Sequence, residues 1–507
     1  MPIFDPTGLV IDRTRPIGLQ IVDGLRTRIR AGKLPAASRL PASRELAQLL
    51  GVSRSTVLSA YEQLYSEGHL TATVGDGTYV AAQTPPPAAP AIATPDTADN
   101  AFHSQTAARL RALGDGIARP GPPRAFRAGI PAMDGFPFDT WARLHARYWR
   151  HTSSEQLGYA DAAGDPALRA RIAEYLSGAR GLYCRPEQVL VTSGAQQAIA
   201  LCAQMLLNPG DVAVVENPGY PRAAAAIALT GARLHGVDVD AQGMQTDALP
   251  TGRRHRLAYV TPSNHYPTGV TLSLPRRLAL LDWARRGRRW IIEDDYDGEY
   301  RYRGVPLPPL ASLDERGRTI YVGTLSKMLF PGLRLGYMVV PPELAGSLAA
   351  LRNHLDRHCS TSEQVVLAEF FAQGHFQRHV RRMRRAAKSR RDALLAAWEL
   401  YRPGGVATPV IDAGLHAMLW LPSLAEERRW VRAARAADIE LEPLERFWLP
   451  ASKAPSHGGV VLGFAGVDED AIREAVQTLA EVVAVPVKMD RICKSDSALR
   501  IDAESVA

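Results

Sequence analysis

Six short apolar runs, at residues 188–192, 211–215, 256–260, 290–292, 319–322 and 337–340, recur between stretches with helical spacing. No other feature constrains the fold as tightly. Buried strands separated by helices read as an α/β architecture with a doubly wound, mostly parallel sheet, and ligands of such sheets lie beyond the carboxyl ends of the strands. Function is therefore sought just past the end of each run. After the first, T-S-G-A-Q-Q opens a helix whose free N–H groups and positive dipole end suit a phosphate. After the second, E-N-P-G-Y places Tyr220 where an aromatic can stack on a flat ring. The third is followed by T-P-S-N-H-Y-P-T-G, and the fourth by E-D-D-Y-D, an acidic cluster too costly to bury without a cationic partner. The fifth delivers T-L-S-K-M-L-F-P-G-L-R, with Lys327 between hydroxyls and Arg334 seven residues on. Each motif alone reads equally well as a cap, a turn or a solvated loop. Their coincidence at successive strand ends is what singles them out.

The chain has 507 residues, beyond the roughly 250 to 300 at which single cores stop growing, so at least two domains are expected. Its 46% hydrophobic and 22% charged composition is that of an ordinary soluble protein. No stretch approaches the ~18 unbroken apolar residues of a membrane span, and M-P-I-F-D-P-T-G has no signal-peptide layout. No membrane association and a cytoplasmic location are therefore expected. Cys184, Cys202, Cys359 and Cys493 are scattered without metal spacing, which predicts free thiols and no metal site. The net charge of +8 permits a polyanionic partner without requiring one.

Residues 1–80 form a separate unit. Residues 16–31 carry Ile21, Leu25 and Ile29 on one helical stripe. L-P-A-S-R-E-L-A-Q-L-L predicts a second short helix with Leu46, Leu49 and Leu50 on its apolar face, and Gly51-Val52-Ser53 makes a turn. A third helix, 54–67, places Val57, Tyr61 and Leu64 at core spacing and leaves a polar, basic N-terminal end, the layout of a helix-turn-helix. L-T-A-T-V-G-D-G-T-Y-V then suits a two-stranded wing. This stretch resembles the winged helix-turn-helix of the GntR superfamily. The resemblance implies double-stranded operator DNA as partner, contacted by Arg44, Ser53, Arg54, Ser55 and Thr56, with Gly75 at the wing tip. Leu58 stands where some relatives carry a further DNA-contacting arginine, so base preference does not transfer. Charge alone is also compatible with a protein-binding module, since residues 1–82 hold nine Arg/Lys against seven Asp/Glu.

Residues 81–124 lose periodicity and are rich in proline and alanine, which predicts a semi-rigid linker with a short helical turn near 107–113. Residues 125–487 form the large domain, and 488–507 read as a frayed tail. Within the large domain, 378–391 holds eight Arg/Lys in fourteen positions; it reads as a solvated helix face, with DNA phosphate contact as the alternative.

With its strand-end motifs, the large domain resembles fold type I pyridoxal 5'-phosphate enzymes, the class I/II aminotransferases. Joined to the GntR-like head, the chain resembles the MocR/GabR family of transcriptional regulators. The resemblance implies pyridoxal 5'-phosphate as cofactor, Lys327 as its Schiff-base lysine and Asp294 as the partner of its ring nitrogen. Tyr296 would contact the ring hydroxyl, Tyr220 would stack, and Ala195, Gln196, Thr324, Ser326 and Arg334 would hold the phosphate. Tyr159, in L-G-Y-A-D, would reach the neighbouring subunit's site, which implies a homodimer. Two positions depart from the aminotransferase pattern. Tyr266, itself counted among the cofactor-binding residues, stands before P-T-G in place of an asparagine, and Val461 replaces the arginine that clamps a substrate α-carboxylate. Arg222, in G-Y-P-R, is the alternative anion receptor. The expectation is a dimeric regulator that senses pyridoxal 5'-phosphate itself, pointing to vitamin B6 metabolism, or else an amine or amino acid. The competing expectations are an active aminotransferase with an autoregulatory head, and a pseudoenzyme that binds DNA without cofactor.

Overall fold

In the computed structural model, which describes residues 9–73, 76–82, 104–113, 121–304, 308–450 and 457–484, the N-terminal unit is built on three helices. Helix α1 (Ile17–Arg30) buries Ile21, Val22, Leu25 and Ile29, one stripe at helical spacing. Helix α2 (Ser43–Leu50) buries Leu46 and Ala47 and ends at Gly51. Leu49, expected on this apolar face, is instead 55% exposed. At ~100° per residue the buried stripe is centred between positions 46 and 47, and position 49 lies about 110° away from that centre, outside the stripe. Helix α3 (Arg54–Ser66) starts at Ser53, whose hydroxyl accepts the Thr56 N–H at 3.1 Å, and it buries Val57, Ala60, Tyr61 and Leu64. Strands β1 (Leu70–Thr73) and β2 (Gly77–Val80) pair antiparallel as the wing, with Leu70 opposite Val80. Gly75 lies outside the described residues.

The compact units divide between Phe102 and His103. A helix spans Gln105–Leu113, inside the stretch expected as linker. The remainder of that stretch, apart from 81–82, 104 and 121–124, lies outside the described residues, as does the tail from 485.

The large unit is organised by eight strands: β3 (Val189–Thr192), β4 (Val212–Asn217), β5 (Arg233–Asp240), β6 (Gly243–Met244), β7 (His255–Val260), β8 (Trp290–Asp295), β9 (Thr319–Thr324) and β10 (Gly336–Val339). Their order is β3-β10-β9-β8-β7-β4-β5-β6. Strands β5, β4, β7, β8 and β9 run parallel. Apolar runs are needed because both faces are covered: Ala213 and Val215 enter one core layer and Val214 another, and Leu257 and Tyr259 alternate in the same way with Ala258 and Val260. Strand β5 escaped sequence detection because it lies near the sheet edge, where Arg233, His235, Asp238 and Asp240 leave a single buried residue, Val237, and no apolar run.

Strand β10 runs antiparallel to both neighbours, setting Gly336 opposite Thr192 and Thr324 at once. Its N-terminal end therefore meets the carboxyl ends of β3 and β9. A second sheet, β11 (His416–Leu421), β12 (Glu442–Pro443) and β13 (Gly458–Gly463), is antiparallel with β13 in the middle. The basic run lies on the helix His375–Tyr401 and splits in two. Arg390 and Arg391 are buried, with Arg390 donating to the Ala465 carbonyl at 2.6 Å and to Asp134 at 2.5 Å, whereas Arg381, Arg384 and Arg385 are exposed.

Candidate cofactor site and DNA-reading surface

Topology brings the strand-end motifs to one edge. Lys327 follows β9, and its Nζ donates to the Gly129 carbonyl at 2.6 Å. Gly129 has φ +80°, and a Cβ there would sit 2.9 Å from Nζ, so this approach needs glycine. Burial lowers the Lys327 pKa from the usual lysine range, partly offset by the Asp297 and Asp294 carboxylates. An amine held this way can be neutral and nucleophilic.

Asp294, near the end of β8, is buried. Its Oδ2 accepts the Tyr259 hydroxyl at 2.7 Å, while Oδ1 has no partner. Burial pushes its carboxyl up to about 6 against the opposing Tyr259 bond. The other carboxylates of the acidic cluster each have local partners, although Asp295 Oδ1, like Asp294 Oδ1, has none. Asp295 pairs with buried Arg180 and accepts the Tyr321 hydroxyl at 2.7 Å, and Glu293 accepts the Leu310 and Ala311 N–H groups at 2.6 and 2.7 Å. Asp297 accepts Asn264 Nδ2 at 2.7 Å. Arg180 is thus the cation that the acidic sequence demanded, supplied from the helix Pro166–Arg180.

The Tyr296 hydroxyl donates to the Asn264 carbonyl at 3.0 Å and receives Asn264 Nδ2 at 3.1 Å. Asn264 lies two residues before the position that departs from the aminotransferase pattern. Tyr266 itself donates to Glu442 Oε2 at 3.1 Å, with its ring edge-on to Tyr220 at 5.7 Å and Tyr296 at 5.8 Å. Asn264, Gly129 and Glu442 were all missed in the sequence. The first sits inside a quoted motif, whereas the other two come from segments distant in the chain and carried no local signal.

Where the sequence points to a phosphate, Gly194 precedes the helix Ala195–Leu206 with φ +91°, and a Cβ there would meet Arg334 Nη1 at 3.4 Å. Arg334 donates to the Ser193 carbonyl at 2.7 Å, and Thr324 Oγ1 accepts the Ser326 N–H at 3.2 Å. Register places Arg334, Thr324, Ser326 and Ala195 around one helix N-terminus. Gln196 Nε2 donates to the Arg222 carbonyl at 2.9 Å, leaving its buried Oε1 without a partner. The Arg222 guanidinium is exposed, and its charge lowers the pKa of Lys327. Tyr159 is 80% exposed, with Arg357 over its ring at 4.3 Å. Val461, on β13, is fully buried with Leu444 and Phe447, with Tyr266, Met418 and Trp448 packed against that cluster.

In the N-terminal unit Arg44, Ser53, Arg54 and Ser55 are exposed and Thr56 is partly so. Arg54 Nε reaches Ser43 Oγ at 3.4 Å, while Ser53 caps α3.

A helix-turn-helix with a wing, and a separate sheet with a lysine, an aspartate and a phosphate-type helix end at one edge, define a DNA-binding regulator carrying an aminotransferase-like domain. Residues 17–80 match the bacterial regulatory proteins of the gntR family, and residues 128–479 match aminotransferase class I and II. The chain is 37% identical over 481 residues to the probable rhizopine catabolism regulatory protein MocR of Rhizobium meliloti, covering 93% of this chain and 95% of that one. It is 31% identical to the pyridoxine biosynthesis transcriptional regulator PdxR of Corynebacterium glutamicum, covering 92% and 96%. Among solved structures it is similar to the α-aminoadipate aminotransferase LysN of Thermus thermophilus, with TM-score 0.67 and 29% identity over 75% of this chain and 97% of that one. The chain belongs to the MocR-type branch of the gntR family, regulators with a class I/II aminotransferase domain, and that domain binds pyridoxal 5'-phosphate. The residues present fit the cofactor: the orphaned Asp294 Oδ1 is a buried acceptor suited to a pyridinium N–H. No helix among the described residues is long and apolar enough to cross a membrane.

Proposed function

We propose that the large domain works as a sensor, with occupancy by pyridoxal 5'-phosphate biasing how the N-terminal units engage a DNA operator. The observation that carries this reading is a mismatch within one site. Lys327 is held at the Gly129 carbonyl and Asp294 keeps a buried, unpaired Oδ1, whereas the residue that the resemblance assigns to the carboxylate clamp is a fully buried valine, Val461, packed among aromatic and aliphatic side chains. When bound, the cofactor supplies an electron-poor aldehyde that a lysine amine can hold covalently. Lys327 anchors it, Asp294 Oδ1 accepts from the ring nitrogen and Tyr220 stacks. Asn264 orients the Tyr296 hydroxyl, while Ala195, Gln196, Thr324, Ser326 and Arg334 hold the phosphate. Arg222 is the exposed cation available to a further anionic group.

Without a bidentate arginine on its α-carboxylate, an ordinary amino acid loses orientation worth about 1.5–3 kcal/mol, which favours sensing over turnover. The protein acts in the cytoplasm as a homodimer, with Tyr159 reaching the partner's site, and Arg44, Ser53, Arg54, Ser55 and Thr56 read DNA. A symmetric dimer matches paired half-sites. Vitamin B6 supply is the pathway this reading points to, and the likeness to a pyridoxine biosynthesis regulator supports it.

The test is DNA binding by purified cofactor-free protein, on operators obtained by selection from genomic fragments, with and without pyridoxal 5'-phosphate. The expected result is a change of at least tenfold in affinity that Lys327→Ala removes. Sustained transamination over a panel of amino donors would instead establish an enzyme.

A further inference from the structure

Glu442 lies on β12 directly opposite Val461 in the antiparallel register. Its Oε2 accepts the Tyr266 hydroxyl at 3.1 Å, and Tyr266 is in ring contact with Tyr220, Tyr296 and His416. The hydrogen bond to Tyr266, whose ring meets Tyr220 and Tyr296, places Glu442 on the site, and its charge acts on both Lys327 and Tyr220. The other carboxylates near Lys327 are already engaged. Asp297 accepts Asn264, and Asp294 faces the cofactor nitrogen in the reading above. Glu442 Oε1 accepts no hydrogen bond among the described residues. Where a clamp for a carboxylate would be needed, the chain thus offers a buried apolar side chain with a carboxylate paired beside it. A ligand carboxylate placed beside Glu442 meets like charge, with the exposed Arg222 and Arg446 as cations near these rings, whereas a distal ammonium or hydroxyl meets an acceptor already oriented by Tyr266.

We infer that the cofactor-loaded site takes a second ligand, a primary amine without a carboxylate, whose distal ammonium or hydroxyl is received by Glu442. This inference rests on the cofactor reading above and names the ligand class of the same site. A matched pair of probes tests it: 1,4-diaminobutane and 4-aminobutanoate present the same primary amine on comparable chains and differ in whether the far end is an ammonium or a carboxylate. Each is titrated into full-length protein loaded with pyridoxal 5'-phosphate, following the cofactor's visible absorbance. Cofactor uptake by each variant is measured first, so that failure to load, which overturns the cofactor reading itself, is distinguished from failure to respond. The expected result is an apparent affinity at least tenfold higher for the diamine, and a preference that falls by most of that factor in Glu442→Gln and is kept in Glu442→Asp. A preference for 4-aminobutanoate, as Arg222 alone would give, overturns the inference. So does an unchanged ratio in Glu442→Gln, or the absence of any response to the diamine from loaded wild-type protein.

Discussion

At the residue scale, the proposed cofactor site depends on two groups, Lys327 and Asp294, whose pKa values are shifted chiefly by burial. Lys327→Ala is expected to abolish retention of pyridoxal 5'-phosphate through dialysis, read as loss of its visible absorbance. Asp294→Asn keeps the shape but removes the charge-assisted bond, so affinity should fall about 10- to 100-fold, the equivalent of roughly 1.5–3 kcal/mol. The Asp294 pKa, raised to about 6 by burial, gives the sign of the pH dependence. The carboxylate pairs with a pyridinium only when ionised, so cofactor affinity should hold above about pH 6 and weaken as pH falls through that value. Stability of the cofactor-free protein runs the other way. Asp294 and Glu216, the latter pushed up to about 8 by burial, bind protons in the folded state that the unfolded chain releases near the ordinary carboxylate range. Their contribution is fully present below that range and is lost as pH rises through about 6 and then about 8. Because buried His265, His416 and His379 contribute with the opposite sign, the check is a comparison with Asp294→Asn and Glu216→Gln: the wild-type urea midpoint should fall relative to each variant over this interval, and parallel curves would contradict the assignment.

At the scale of elements, helix α3 separates folding from reading. Ser53→Ala removes the cap on the Thr56 N–H and should cost about 1 kcal/mol in urea denaturation. Arg54→Ala, exposed on the first turn, should leave the midpoint unchanged and weaken DNA binding. The helix His375–Tyr401 separates its arginines in the same way. Arg390 is buried, with bonds to the Ala465 carbonyl and Asp134, and truncation to alanine should destabilise by about 2–3 kcal/mol because both partners lose it. Arg381→Ala on the exposed face should leave stability unchanged. The run of basic residues looked uniform in the sequence because spacing does not reveal which turn of a 27-residue helix faces a neighbour.

At the scale of the whole molecule, DNA affinity should fall steeply with salt. Neutralising Arg44 and Arg54 together should reduce the slope of log K against log salt by about 2, roughly one per phosphate contact removed. The same measurement on Arg381 and Arg385 decides whether the large domain touches DNA, since an unchanged slope would leave that helix face merely solvated. Exchange of Tyr159 for alanine should weaken cofactor binding if the residue serves a partner subunit, and should leave it unchanged if the site is complete within one chain.

The sequence by itself determined the two-part organisation, the mostly parallel sheet and the order of functional motifs at its strand ends. These follow from local information: apolar runs, turn residues and capping residues act within a few positions of where they stand. The candidate residues Lys327, Asp294, Tyr220 and Arg334 stand out in the sequence for the same reason, each sitting just after or before a recognisable apolar run. Tertiary structure alone decided the rest. It brought Gly129 to the Lys327 amine, Arg180 to Asp295, Asn264 to Tyr296 and Glu442 to Tyr266. It also turned Leu49 to solvent and Arg390 inward. Contacts between segments separated by dozens to hundreds of residues depend on strand order and register, which no local pattern of side chains encodes.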